Sequence, residues 1–252
     1  MIYFAVDTTL MAIWFVTDVL KIPEHTFRLL NIAVNFLFCT YTIFITMFKI
    51  IRHLWPLFVV QFFTWLALFA LWIYATPVIT RYVFNTTNAE SSDFENGTTW
   101  VGICFAFYST LAAFLVFIIP ALSKKIPKER IHAFALLAGG IGLSFIYFIK
   151  NKYLLFFSFA FIGIAWSSIG NIPYAIISSI APEEKMTTYF AVFNFSVVIP
   201  QITAAFLLSY ANTQFFKGAT INIMLLGGIS MLAAATCMFF VRFHANETRR
   251  QN

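Results

Sequence analysis

The stretch AVFNFSVVIPQ, residues 191–201, sets Asn194, Ser196 and Gln201 inside an otherwise apolar run, with Pro200 among them. A polar side chain at membrane depth must find a partner or face water, so such residues turn toward a helical bundle and often line a substrate path. Similar stripes recur along the chain. At about 100° per residue, Gln61, Trp65, Leu68, Trp72 and Thr76 share one helix face. Gly163, Ser167, Asn171, Tyr174 and Ser178 share another, with Trp166 and Gly170 on its flank, and Asn194 and Gln201, seven apart, share a third. Amides both donate and accept hydrogen bonds, and flat aromatic rings pack on apolar C–H faces. Faces of this composition suit a neutral, hydroxyl-rich ligand. The same residue types also act as packing glue between membrane helices, and spacing alone does not choose between the two. Phe193, about 100° round the helix from Asn194, is expected against lipid or a neighbouring helix. Pro173 and Pro200, both mid-span, each free a backbone carbonyl and kink their helices.

The elements that must carry these residues are membrane helices. The chain has 252 residues, 61% of them hydrophobic and only 10% charged, with 33 Phe and a mean hydropathy of +0.84. Soluble domains carry about 25% charged residues, so an all-α membrane protein is the expectation. A span needs about 20 mostly apolar residues. Six runs meet that rule: 55–81, 101–122, 131–149, 153–181, 187–210 and 220–242. They form a domain over residues 53–245, followed by a tail at 246–252. Residues 1–52 make an N-terminal apolar segment with one or two further spans, 2–20 and 29–51; the first contains Asp7 and Asp18. The opening has no basic n-region and no small-residue cleavage site, so it does not read as a cleavable signal peptide.

The net charge of +6 does not point to nucleic acid, because the cations sit in short clusters between apolar runs. From residue 49 onward, one side of the spans holds Lys49, Arg52, Lys124, Lys125, Lys128, Arg130, Lys185, Arg242, Arg249 and Arg250. The other holds Arg81, Lys150, Lys152 and Lys217. The richer side is expected in the cytoplasm, which makes the protein multi-pass in the cell (inner or plasma) membrane with a cytoplasmic C-terminus. The segment NTTNAESSDFENGTT, residues 85–99, then reads as an outside loop, and its Asn85 and Asn96 begin triplets of the glycosylation-acceptor type. Trp55 and Trp100, at span ends, suit the interfacial aromatic belt. Cys39, Cys104 and Cys237 are isolated within apolar runs and read as small apolar fillers.

No Asp, Glu, Lys or Arg lies within the core of the six spans, so no proton relay built from those groups is expected there. There is no HExxH, no Ser/Lys pair and no pair of intramembrane carboxylates in the spans, which argues against an enzyme, and nothing calls for a cofactor or metal.

Three stretches carry a family resemblance: QFFTWLALFALWIY at 61–74, IPALSKKIPKERIHAFALLAGGIGL at 119–143, and GIAWSSIGNIPYAIISSIAPEEKMTTYFAVFNFSVVIPQI at 163–202. From about residue 50 onward the chain resembles the C-terminal six-helix half of a major facilitator superfamily sugar transporter. It is most similar to the sucrose and maltose (alpha-glucoside) cation symporters, close to the glycoside/pentoside/hexuronide group. SKKIPKER stands where that superfamily has its basic cytoplasmic loop motif, without the usual Gly and Asp. The resemblance implies sugar transport by alternating access, coupled to a proton or sodium ion, in the lipid bilayer. It implies that Gln61, Trp65, Trp72, Ser167, Asn171, Tyr174, Asn194 and Gln201 are substrate-binding, with Asn194 and Gln201 across a central cavity from Asn171 and Ser167. Family members have twelve spans and carry their coupling carboxylates in the N-terminal half, so the chain is expected to be a truncated or split transporter, with a separately encoded N-terminal half among the expected partners. The alternative is a non-transporting fragment or accessory membrane subunit of the same fold.

Overall fold

A computed structural model describes residues 24–241. The run 2–20 with its two aspartates, and the tail 246–252, lie outside the described residues. Helices α1 (Glu24–Tyr82), α2 (Ser92–Val116), the short α3 (Ile119–Ser123), α4 (Lys128–Phe145), α5 (Leu155–Ile169), α6 (Ile172–Ile180), α7 (Met186–Tyr210) and α8 (Ile221–Phe240) follow one another. Single turns of 3-10 helix at Ile146–Phe148, Lys152–Leu154 and Glu183–Lys185, and a π turn at Ala211–Phe215, link them, and no strand occurs among the described residues. Six helical stretches are long and apolar enough to cross a membrane: Ile32–Tyr82, Ser92–Val116, Lys128–Phe148, Lys152–Ile180, Glu183–Phe215 and Ile221–Phe240. The protein is thus an all-α membrane protein, with six candidate spans among the described residues.

The chain divides into two compact units, Met1–His53 and Leu54–Asn252. In the first, Ile32, Phe36, Tyr41 and Phe48 are exposed, the apolar surface that a lipid-facing helix presents. Helix α1 does not stop where the sequence separates runs 29–51 and 55–81. The basic stretch at 49–54 contains only helix-compatible residues, so nothing there ends the backbone hydrogen bonding.

The second span starts well before residue 101. Ser91 caps α2 by accepting a hydrogen bond from the Phe94 N–H (3.2 Å), and Asp93 and Glu95 in the first turn complement the positive end of the helix dipole. Residues 92–99, expected as loop, are therefore helical, and the Asn96 triplet lies on a helix rather than on an outside loop. Gly97, in the next turn, is buried, and a Cβ there would meet the Thr80 methyl group at 2.9 Å, so α2 begins tightly against the end of α1.

Helix α4 packs most extensively against α8 and α5. Glycine makes this possible. A Cβ on Gly140 would sit 2.9 Å from the backbone nitrogen of Leu232, and one on Gly228 would sit 2.7 Å from that of Ser144. Backbone cannot yield as a side chain can, and small residues at these positions let membrane helices gain dispersion contact where no hydrophobic driving force separates helix from lipid. On another side of α8, the Ser230 hydroxyl donates to the Phe63 carbonyl of α1 at 2.8 Å. Leu66 and Ala70 of α1, Ala204 and Leu208 of α7 and Ile223 of α8 form a buried cluster. At the α3–α4 connection, Lys128 donates from Nζ to the Ala175 carbonyl of α6 at 3.1 Å, so part of the SKKIPKER segment is tied to the broken fourth span.

Candidate functional site

The fourth span is not one helix. Asn171 leaves helical geometry at φ −123° and ψ −51°, and Pro173 stands in the first turn of α6, where its missing N–H costs nothing. The kink expected at Pro173 is therefore a break at Gly170 and Asn171. By contrast, α7 continues through Pro200. Broken helices at membrane depth are tolerated where the irregular backbone is buried in protein or lines a cavity.

Around this break the structure joins two of the expected site residues. Tyr174 of α6 donates its phenol proton to Asn194 Oδ1 of α7 at 2.8 Å. Phe193 holds the ring from the side: it is fully buried, edge-to-face with Tyr174 (5.2 Å between centroids) and with Phe58 of α1 (6.1 Å). Of the two surroundings expected for Phe193, lipid or a neighbouring helix, the structure gives it the helices. Asn171 donates from Nδ2 to the Ser167 carbonyl at 2.9 Å, satisfying a carbonyl left over at the end of α5. The Asn171, Asn194 and Gln201 side chains are all exposed.

The stripe on α1 faces inward. Trp65 and Trp72 lie 6.1 Å apart by ring centroid, and Trp166 of α5 stands edge-to-face to both, at 6.4 and 5.7 Å. Such pairs contribute about 0.5–1.5 kcal/mol beyond burial. Trp72 Nε1 donates a long bond of 3.3 Å to the Tyr108 hydroxyl on α2. Gln61 is buried with its Oε1 unpartnered, and the Trp65 Nε1 is likewise buried and unpartnered. One acceptor and one donor on the same face thus lack a protein partner.

Ser167 does not join these groups. It is buried, its hydroxyl donates to the Ile164 carbonyl at 2.7 Å, and it lines a cavity of about 230 Å³ between α2, α3, α4 and α5 with Leu115, Ile118 and Phe134. Gln201 lies two helical turns from Asn194 on the exposed side of α7.

One imidazole also lies within the third span. His132, in α4, is fully buried, and its Nδ1 lies 3.0 Å from Ser168 Oγ on α5. The Ser168 hydroxyl donates to the Ala165 carbonyl at 2.9 Å and has a lone pair free to accept from the imidazole, while His132 Nε2 is buried without a partner. The signal available in the sequence was a lone imidazole two residues past the KER cluster and already inside the third span.

No curated protein matches the chain. The family model of the Major Facilitator Superfamily matches residues 2–205, taking in the N-terminal segment outside the resemblance noted above and reaching into the fifth span. The chain belongs to the Major Facilitator Superfamily, a superfamily of membrane transporters.

Proposed function

We propose that residues 53–245 form the C-terminal six-helix half of a sugar symporter, which moves a disaccharide or alpha-glucoside with a proton or sodium ion by alternating access. The observation that carries this reading is the set of exposed amides, Asn171, Asn194 and Gln201, on spans otherwise apolar, with Tyr174 locked to Asn194 beside a helix break. An amide facing hydrocarbon is costly, so this face suits a water-filled path. Amide and phenol groups match sugar hydroxyls, which donate and accept alike, and the Trp65, Trp72 and Trp166 cluster supplies flat apolar surface deeper in the same bundle. Gln61 and Trp65 offer one further acceptor and donor to a hydroxyl, once motion between states opens the α1 face. The C-terminus lies in the cytoplasm of a plasma-membrane protein, and the coupling carboxylates belong to an N-terminal half of the assembly, whether separately encoded or joined to this chain.

Uptake of labelled maltose and sucrose in transport-deficient cells tests the reading, comparing the chain alone with the chain joined to, or co-expressed with, an N-terminal six-helix half. The expected result is accumulation only with both halves. Concentrative uptake by the 252-residue chain alone would overturn the placement of the coupling site and bring Asp7 and Asp18 forward. An assembled protein that neither binds nor moves sugar favours the accessory-subunit alternative.

A further inference from the structure

Four cations gather at the end of the helices opposite the SKKIPKER segment. Arg81 lies in the last turn of α1, Lys150 and Lys152 in the connection from α4 to α5, and Lys217 in that from α7 to α8. Contacts draw these segments together. Arg81 donates from Nη1 to the Gly218 carbonyl at 3.0 Å, and Trp100 of α2 donates from Nε1 to the Lys152 carbonyl at 3.0 Å. Arg81 Cζ and Lys150 Nζ both stand over the Tyr82 ring, 5.4 and 5.6 Å from its centroid. Lys152 Nζ stands over Trp100 and Tyr153, at 5.0 and 5.3 Å. An aromatic face attracts a cation but cancels none of its net charge. Among the described residues, no carboxylate pairs with any of the four. Arg81 has a structural duty, at the negative end of the α1 dipole and on the Gly218 carbonyl. Lys150 and Lys152 have none: neither Nζ donates a hydrogen bond within the described chain, and Lys152 precedes the start of α5, where the helix dipole is already positive.

We propose that this cluster binds the phosphate of an anionic phospholipid, such as phosphatidylglycerol, with the lipid's acyl chains lying along the neighbouring apolar surface. Two cations sharing one ring are separated by on the order of one Debye length, roughly 10 Å at 0.1 M salt, so they repel, and an anion between them relieves the repulsion. Depth selects the anion. Trp and Tyr favour the headgroup level of a bilayer, and Trp100 and Tyr153 meet edge-to-face at 5.5 Å, with Tyr153 62% exposed. The Lys152 charge over both rings therefore lies where lipid phosphates lie. The same connection and the start of α5 expose Phe148, Leu154 and Phe157, apolar surface that acyl chains cover and a free ion does not. An anion shared by Arg81 and Lys150 also ties the end of α1 to the α4–α5 connection.

The test is photolabelling of the full chain in nanodiscs with phosphatidylglycerol carrying a diazirine near the carboxyl end of one acyl chain, and in parallel with phosphatidylcholine of the same chains. Labelled residues are mapped by mass spectrometry. Phosphatidylglycerol is expected to label residues 145–157 about fivefold more efficiently for each cation engaged, the worth of one Lys or Arg at an anionic headgroup. Lys150→Gln combined with Lys152→Gln is expected to bring the two lipids level there. Lys150→Arg with Lys152→Arg, which keeps the charges, is expected to retain the preference. Lys124→Gln with Lys125→Gln, at exposed positions of the opposite end, is expected to leave it unchanged. Equal labelling by the two lipids in the unaltered chain overturns the proposal, as does a preference that survives the Lys150 and Lys152 glutamine pair or is lost equally in the Lys124 and Lys125 pair. A preference abolished by inorganic phosphate, but not by chloride at the same ionic strength, assigns the cluster to a free anion and overturns the assignment to lipid.

Discussion

The Tyr174–Asn194 hydrogen bond gives the amide face a structural duty as well as its proposed one, and the two can be separated. A double-mutant cycle of Tyr174→Phe and Asn194→Ala, followed by thermal unfolding in detergent, is expected to show a coupling of about 0.6 kcal/mol, typical of side-chain hydrogen bonds between membrane helices. Gln201 has no such link, so Gln201→Ala is expected to change stability by less than about 0.5 kcal/mol. In the assembled transporter it should nevertheless weaken sugar affinity roughly two- to tenfold. If Gln201→Ala destabilises as much as Asn194→Ala and leaves affinity intact, the amide face is packing and not path. Phe193→Ala, buried between Phe58 and Tyr174, is expected to cost about 3–5 kcal/mol, and so serves as a measure of core damage. The polar residues were legible as inward-turning or path-lining from their types alone. Their pairing was not, since Tyr174 and Asn194 are twenty positions apart on different helices.

At the scale of the elements, glycine decides how closely α4 and α8 approach. Gly140→Ala and Gly228→Ala each press a methyl group into backbone atoms at 2.9 and 2.7 Å, and each is expected to destabilise by about 1–3 kcal/mol in the same unfolding measurement. Gly102→Ala is the counterpart. It sits exposed within α2 with nothing within 4 Å of the added carbon, so the change should be neutral or stabilising by up to about 1 kcal/mol. Gly170 has open space too, at φ −76°. Gly170→Ala is thus sterically allowed yet favours continuing α5 through the break. If the break serves alternating access, the variant should keep its stability and lose transport rate. Unchanged uptake would show that the break is incidental. Hydropathy located four of the six spans to within about five residues at each end, because it sums a local property, and it did not foresee that the run 55–81 continues an earlier helix. It missed the start of α2 because polar residues in a first helical turn resemble a loop, although Ser91 followed by Asp93 and Glu95 is a helix-start pattern.

For the whole molecule, the charge asymmetry of the connections predicts orientation. A reporter fused after Asn252 should read as cytoplasmic, and an epitope inserted after Ala89, an exposed position outside the cap of α2, should bind antibody on intact cells. Binding only after permeabilisation reverses the topology. What the sequence by itself determined is membrane residence, the rough placement of the apolar spans and the supply of polar groups, because each follows from composition and spacing within a single helix, and the family likeness rides on the same local strings. Only the tertiary structure decided which of those groups are spent. Trp72 meets Tyr108 and His132 meets Ser168 across thirty-six residues, and Ser230 meets Phe63 across one hundred and sixty-seven, while Gln61, Trp65 and Ser196 keep atoms unpaired. Helical periodicity says which face a residue is on. It cannot say what stands opposite, because that depends on the rotation and depth of a second helix, set by close contacts such as those at Gly140 and Gly228.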